Sequence, residues 1–135
     1  MPARAYVTSA ASFHLFVIRA AELAATRARD PRVQAQARAE LSDHRGLGAQ
    51  LSFAGRRLNL LPPVAMWKSD AEDLATLAAS ADFDAAYKRA MIGRHAHHLK
   101  ISRELAARSA SPTLRPVARN AADVLARHLA QLRAL

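Results

Sequence analysis

Residues 14–44 read HLFVIRAAELAATRARDPRVQAQARAELSDH, and the fold is decided at Asp30-Pro31 in their middle. Aspartate is a favoured N-cap. Proline is favoured at a first helical position, where its fixed φ suits the helix and its missing N–H would have had no partner. Helix-forming alanine, leucine, arginine and glutamine dominate both flanks. One helix is therefore expected to end near Arg29 and a second to start at once, the two lying antiparallel as a tight hairpin. The second should run to about Phe53-Ala54, with Gly55 in the left-handed conformation that closes a helix.

Further along, Pro62-Pro63 forbids helix within Arg56 to Lys68. That segment also holds Leu58, Leu60, Leu61, Val64, Met66 and Trp67, too many apolar side chains to stand in water, so the loop is expected to pack over one end of the molecule. Ser69-Asp70-Ala71-Glu72 has the spacing of a capping box, and a short helix to about Ala79 should follow. Ser80 is placed to cap a long helix from about Asp82 to Arg108. Gly93 inside that helix costs roughly 1 kcal/mol against alanine and is expected to admit a close neighbour. Ser111-Pro112 repeats the cap-then-proline signal and opens a last helix that continues nearly to Leu135. The pattern is all-α: residues 1–135 form a single four-helix-bundle domain, two hairpins with one short extra helix in the connection between them.

Composition agrees with that class. A chain of 135 residues with 51% hydrophobic content can bury a core, and only 5% of its residues are aromatic. Cysteine is absent, which removes disulfides, thiolate metal sites and cysteine nucleophiles together. The formal charge of +9 comes from basic residues spaced singly, with Arg56-Arg57 and Lys88-Arg89 the tightest pairs. That is a solvated surface rather than a sequence-specific nucleic-acid footprint. Asp70, Glu72, Asp73, Asp82 and Asp84 are expected to make a local negative patch. No apolar run approaches the ~20 residues of a transmembrane helix. The first helix, interrupted by His14 and Arg19, is not read as a signal peptide.

The sharpest functional signal is the placing of four histidines, one per long helix. His14 lies 16 residues before Asp30 and His44 lies 14 after it; His95 lies 16 before Ser111 and His128 lies 17 after it. A helix rises about 1.5 Å per residue, so all four should stand at one level near mid-helix. His44 continues the apolar row of Val33 and Ala37, with Glu40 one turn before it. His95 follows Met91 and precedes Leu99, and His128 lies in the row of Ala121, Leu125 and Leu132. These three are expected to face the core; His14 competes with Phe13, Phe16 and Val17 for its buried face. Neutral imidazole is a ligand for zinc, copper or iron, and Glu40 can ligate beside it. The expected metal set is His14, His44, His95, His128 and Glu40, holding one transition-metal ion. Asp43, about 100° around the helix from His44, is placed to orient a partner. His97 and His98 read as a surface pair, with His98 at its boundary.

The ordered set Asp43-His44, Phe83-Asp84 with Tyr87, His95, and His128-Leu129 resembles the bacterial family called domain of unknown function 4142, over nearly the whole chain. The resemblance implies a ferritin-like four-helix bundle, usually in exported or periplasmic proteins, and implies no established activity. The chain departs from it at Val17, where a glutamate is frequent, and around Val124-Leu125, where a leucine-proline pair is frequent.

Di-iron chemistry needs Glu-x-x-His motifs, and none of Glu22, Glu40, Glu72 or Glu104 begins one. No nucleophile elbow or phosphate loop is present. No catalytic residue is assigned, and a non-enzyme is expected. Two function classes stand: a small bundle that binds a transition metal through inward-facing histidines, and a non-catalytic interaction or stress-related module that uses its basic surface or the apolar 58–67 loop. Homo-oligomers fit either class.

Overall fold

The computed structural model describes all 135 residues. It has five helices and no strand: α1 (Ala3–Arg27), α2 (Pro31–Arg57), α3 (Lys68–Ala78), α4 (Phe83–Arg108) and α5 (Leu114–Arg133). The first hairpin closes as its sequence requires. The Asp30 carboxylate accepts the Arg32 N–H at 2.8 Å, Pro31 occupies the first helical position, and the Gln34 side chain ties back to the Ala28 carbonyl at 2.6 Å. Asp84, in the first turn of α4, fastens this turn from outside by accepting the N–H groups of Arg29 and Asp30 at 3.0 and 2.9 Å. At the second hairpin Ser111 Oγ accepts the Leu114 N–H at 3.2 Å, which performs the capping that Ser111-Pro112 signals.

α1 pairs with α2 and α4 with α5; α1 also packs on α4, and α2 on α5. Tyr6 at the start of α1 meets Ser102 near the end of α4, and Leu51 near the end of α2 shares a cluster with Leu114 at the start of α5. All four neighbouring contacts are thus antiparallel. The connection from α2 to α4 must consequently travel the length of the bundle. Leu58 and Leu60 begin it at one end, and Asp84 meets Arg29 and Asp30 at the other.

The core is divided. An 18-residue cluster around Phe16, Val33, Tyr87, Met91 and Leu132 fills the end beside Asp30-Pro31 and extends past the histidine level at Phe13, Leu99, Ala122 and Leu125. A 9-residue cluster around Tyr6, Val7, Leu51, Leu105 and Leu114 fills the other. Where the four histidines meet, the interior is polar, and this level carries the site. Alanine contributes much of the buried surface, so the helices approach closely with few aromatic wedges.

Several local expectations are corrected. α2 runs through Gly55, which has no positive φ; the left-handed residue is Asn59, at φ 56°. Gly55 serves close approach instead, because its carbonyl accepts the Leu60 N–H at 2.7 Å as the chain folds back. A Cβ there would stand 2.5 Å from the Leu60 carbonyl oxygen. α3 starts at Lys68 with Trp67 as its uncapped N-terminus, so the capping box of Ser69 and Glu72 does not form. The Trp67 N–H is taken instead by Ser12 Oγ of α1 at 2.8 Å. Ser80 turns its hydroxyl back to the Thr76 carbonyl and leaves α4 without a side-chain cap. Gly93 is exposed, with nothing near its missing Cβ.

The acidic stretch is largely spent on docking rather than forming a free patch. Ser12 donates to Asp70, Arg94 bridges Asp70 and Asp73 while lying 3.9 Å over the Phe16 ring, and Asp84 holds the first turn. Only part of the 58–67 loop packs: Leu58, Leu60 and Met66 join the core, whereas Leu61 and Val64 stand 77% and 97% exposed. α1 proves long and apolar enough by composition to cross a membrane, with 67% of its most apolar window buried among the other helices.

The two glycines make opposite predictions. Gly55→Ala should lower stability by roughly 1–3 kcal/mol because the added methyl strikes backbone. Gly93→Ala should raise it by about 1 kcal/mol through helix propensity alone. Thermal melts of both variants check the pair, and a shift of the same sign in both would contradict this account.

Candidate metal centre

Four side chains converge in the polar level: Glu40 and His44 from α2, His95 from α4 and His128 from α5. Each is at most 1% exposed, and one ligand atom from each lies within 4.8 Å of every other. Glu40 and His44 share a face because they are one helical turn apart. His95 and His128 reach the same height because each hairpin folds its helices about a fixed turn.

The geometry centres on one atom. Glu40 Oε2 lies 3.2 Å from His44 Nε2, 2.9 Å from His95 Nε2 and 2.9 Å from His128 Nδ1. Each ring has its other nitrogen engaged outward. His95 Nδ1–H donates to the Met91 carbonyl at 2.8 Å, His128 Nε2–H donates to Asp43 Oδ2 at 2.7 Å, and His44 Nδ1 shares a hydrogen with His14 Nδ1 at 2.9 Å. In a neutral His95 or His128 those bonds leave a lone pair on the inward nitrogen, whereas His44 can carry its proton on either side, because His14 Nδ1 can donate to it or accept from it. Lone pairs that face a carboxylate oxygen repel it, so a positive charge belongs between them, either a proton on an imidazole or a metal ion. Two of the contacts, from His44 Nε2 and His128 Nδ1, are also out of line for hydrogen bonding, so these buried nitrogens have no hydrogen-bond partner.

Outer contacts fix the carboxylate as well. Gln36 donates to Glu40 Oε1 at 2.6 Å, and the Tyr87 hydroxyl reaches Gln36 Oε1 at 3.5 Å. Burial by itself would raise the Glu40 carboxyl, but His128, His44 and His95 together outweigh it and hold the group ionised, well below the ordinary carboxylate range. Burial, with the Glu40 charge nearby, pushes the Tyr87 phenol up, so it remains a neutral donor. Burial lowers His44 to about 4 despite Glu40. For His128 burial also acts downward, but Glu40 and Asp43 overcome it and raise the group above its usual value.

The donor set suits a metal ion. Bonds of about 2.0–2.1 Å to imidazole nitrogen place tetrahedral neighbours about 3.3 Å apart. The oxygen-to-nitrogen separations of 2.9–3.2 Å are close to this, and the nitrogens, at most 4.8 Å apart, need to close by no more than about 1.5 Å. One carboxylate among three imidazoles supplies too few oxygen donors for a di-iron centre, which agrees with the absence of Glu-x-x-His.

Of the residues singled out in the sequence, the structure brings together Glu40, His44, His95 and His128. His14 is buried but stands behind His44, outside the group of four. His97 is exposed, whereas His98 is buried and stacks on Phe13 at 4.0 Å with an interplanar angle of 8°; its reading as a surface residue is corrected. The Phe13 ring also lies 5.4–5.5 Å from the rings of His14, His44 and His95, so one aromatic side chain walls the α1 side of the site. Gln36 was not singled out, although it lies one turn before Glu40 in the same row.

Comparison with known proteins now identifies the family: the pattern of domain of unknown function DUF4142 matches residues 1–135. The chain belongs to the DUF4142 family. No curated protein matches it in sequence. In fold it is similar to CopM, solved in a Cu(I)-bound form at TM-score 0.86 and 19% identity, covering 99% of this chain and 94% of that one. The Cu(II)-bound form of CopM matches at TM-score 0.81 and 18% identity, covering 97% of this chain and 93% of that one. At such identity the likeness establishes the helical bundle, and this DUF4142 chain shares it from end to end.

Stability should depend on pH through the buried rings. Burial, first among the causes, lowers His98 to about 3, as it lowers His44 to about 4, against 6.5 in the unfolded chain. As pH falls below 6.5 the unfolded chain takes up protons that the folded one refuses. Stability present above 6.5 is therefore lost progressively toward pH 4, by up to about 1.4 kcal/mol per pH unit for each such ring. His98→Phe keeps a flat ring on Phe13 without a titrating nitrogen, so its loss between pH 6 and 4 should be shallower by about that slope. Denaturant titrations at a series of pH values test this, and parallel profiles for the two proteins would refute it.

Proposed function

We propose that this protein binds one transition-metal ion through His44, His95, His128 and Glu40 and serves to hold or pass on that ion. The observation that carries the reading is the set of buried nitrogens aimed at a buried carboxylate oxygen with their outward nitrogens already engaged. Structural burial of histidine satisfies both ring nitrogens with fixed partners; here two inward nitrogens are without one. His14, Asp43, Met91 and Gln36 support the set, each by fixing the orientation of a ligand from behind.

Copper is the favoured ion. Among divalent first-row ions it binds nitrogen and oxygen sites most strongly, and the fold neighbour CopM was solved with copper in two oxidation states. A set of imidazoles and one carboxylate, with no sulfur, favours Cu(II) over Cu(I). An exported location, as expected for the family, is compatible with a site that contains no oxidisable thiol.

Untagged protein dialysed against copper(II) should retain one ion per chain by elemental analysis. Glu40→Gln and His95→Ala should each weaken binding by at least about a hundredfold, since even outer contacts are worth 10–100-fold. His97→Ala, on an exposed ring of α4 outside the group of four, should bind like the parent. Absence of stoichiometric metal, or equal losses in His95→Ala and His97→Ala, would overturn the reading.

A further inference from the structure

The site has one side that differs from the rest. Phe13 at 1% exposure closes it toward α1, and Tyr87 and Met91, both fully buried, close it toward the Asp30-Pro31 end. On the α2–α5 side, next to His128, the small cluster of Leu47, Ala121 and Val124 adjoins the site. There the His128 ring links the buried oxygen to a group that touches water. Its Nδ1 stands 2.9 Å from Glu40 Oε2, and its Nε2 stands 2.7 Å from Oδ2 of Asp43, whose side chain is 40% exposed.

Charge points to the same side. The chain carries a formal charge of +9, so a dication meets net repulsion over most of the surface. Asp43 has no lysine or arginine partner, and its one ionic contact is His128. Glu22, by contrast, is shared between Arg19 and Arg45, and Asp70 and Asp73 are paired with Arg94. An exposed carboxylate unneutralised by a strong base, joined to the interior through one imidazole, is a local attractor for cations on a repelling surface.

We infer that the Asp43–His128 pair is the route by which a divalent metal ion reaches and leaves the buried site, with Asp43 the first carboxylate to meet the ion and the His128 ring the movable barrier. This rests on the metal-binding reading and adds how that site is loaded. Asp43 stands outside the ligand set, meeting the ion in transit and orienting His128 at rest. A role confined to orienting the His128 ring would affect how firmly the ion is held; a role in admission also sets how fast it arrives.

Asp43→Asn separates the two, because the amide oxygen still accepts the His128 Nε2–H while the charge is gone. Copper(II) alone is mixed in a stopped flow with the full chain, and the visible band of imidazole-bound copper is followed over a range of salt concentrations. The parent should load faster at low salt than the variant by about tenfold or more, and its rate should fall with salt far more steeply. Release to a chelator should also slow in the variant, so affinity changes less than the loading rate. Loading of Asp43→Asn within twofold of the parent, whatever its affinity, would overturn the proposed route while leaving the metal site standing. A parent that develops no copper band would instead overturn the metal reading, and the route with it.

Discussion

A carboxylate with no exposed surface is the constraint around which this bundle is organised. Moving an ionised group out of water costs several kcal/mol even after relaxation, and a neighbour of opposite or donating character must offset that cost. Glu40 meets the demand by drawing one imidazole from its own helix and one from each helix of the second hairpin. A slip of either helix by one residue would rotate its histidine by about 100° and leave the charge exposed to an apolar neighbour. The polar level thereby fixes the register in which the two hairpins meet, which alanine-rich faces alone would specify weakly.

That same level explains why the core is divided. The apolar rows of α2, α4 and α5 are interrupted at His44, His95 and His128; the larger cluster passes this level only at Phe13, Leu99, Ala122 and Leu125, and the smaller one lies beyond it. Contacts behind the ligands keep the interruption rigid. Gln36 holds the far oxygen of Glu40, Met91 and Asp43 hold the outward nitrogens of their histidines, and Phe13 fills the space among four rings. Rotation of any of the three rings costs an outer hydrogen bond, so at rest the donor atoms already point at one another.

α3 and its flanking loop stabilise the wall that Phe13 belongs to. Ser12 precedes Phe13 directly, and its hydroxyl joins the Trp67 backbone to Asp70, which in turn pairs with Arg94. Arg94 precedes His95 in the same way. The crossing segment is thus fastened to the residues adjacent to the site on both α1 and α4, a polar clamp beside an otherwise alanine-lined groove.

Helix class, hairpin positions and the common height of the four histidines were legible in the sequence. Proline, capping side chains and a constant rise per residue act locally, and counting from Asp30 and Ser111 needs no tertiary knowledge. The inward aim of His44, His95 and His128 was legible too, since each continues an apolar row of its own helix. Tertiary structure alone decided what depends on partners far along the chain: that His14 stands behind His44, that Phe13 covers His98, and that Ser12 takes the Trp67 N–H in place of a capping box. It also decided that the chain's return against Gly55 requires glycine by proximity rather than by handedness. Spacing along one helix sets height and face, but which atoms meet across the bundle is fixed only when four helices choose a common register, and here a single buried charge makes that choice.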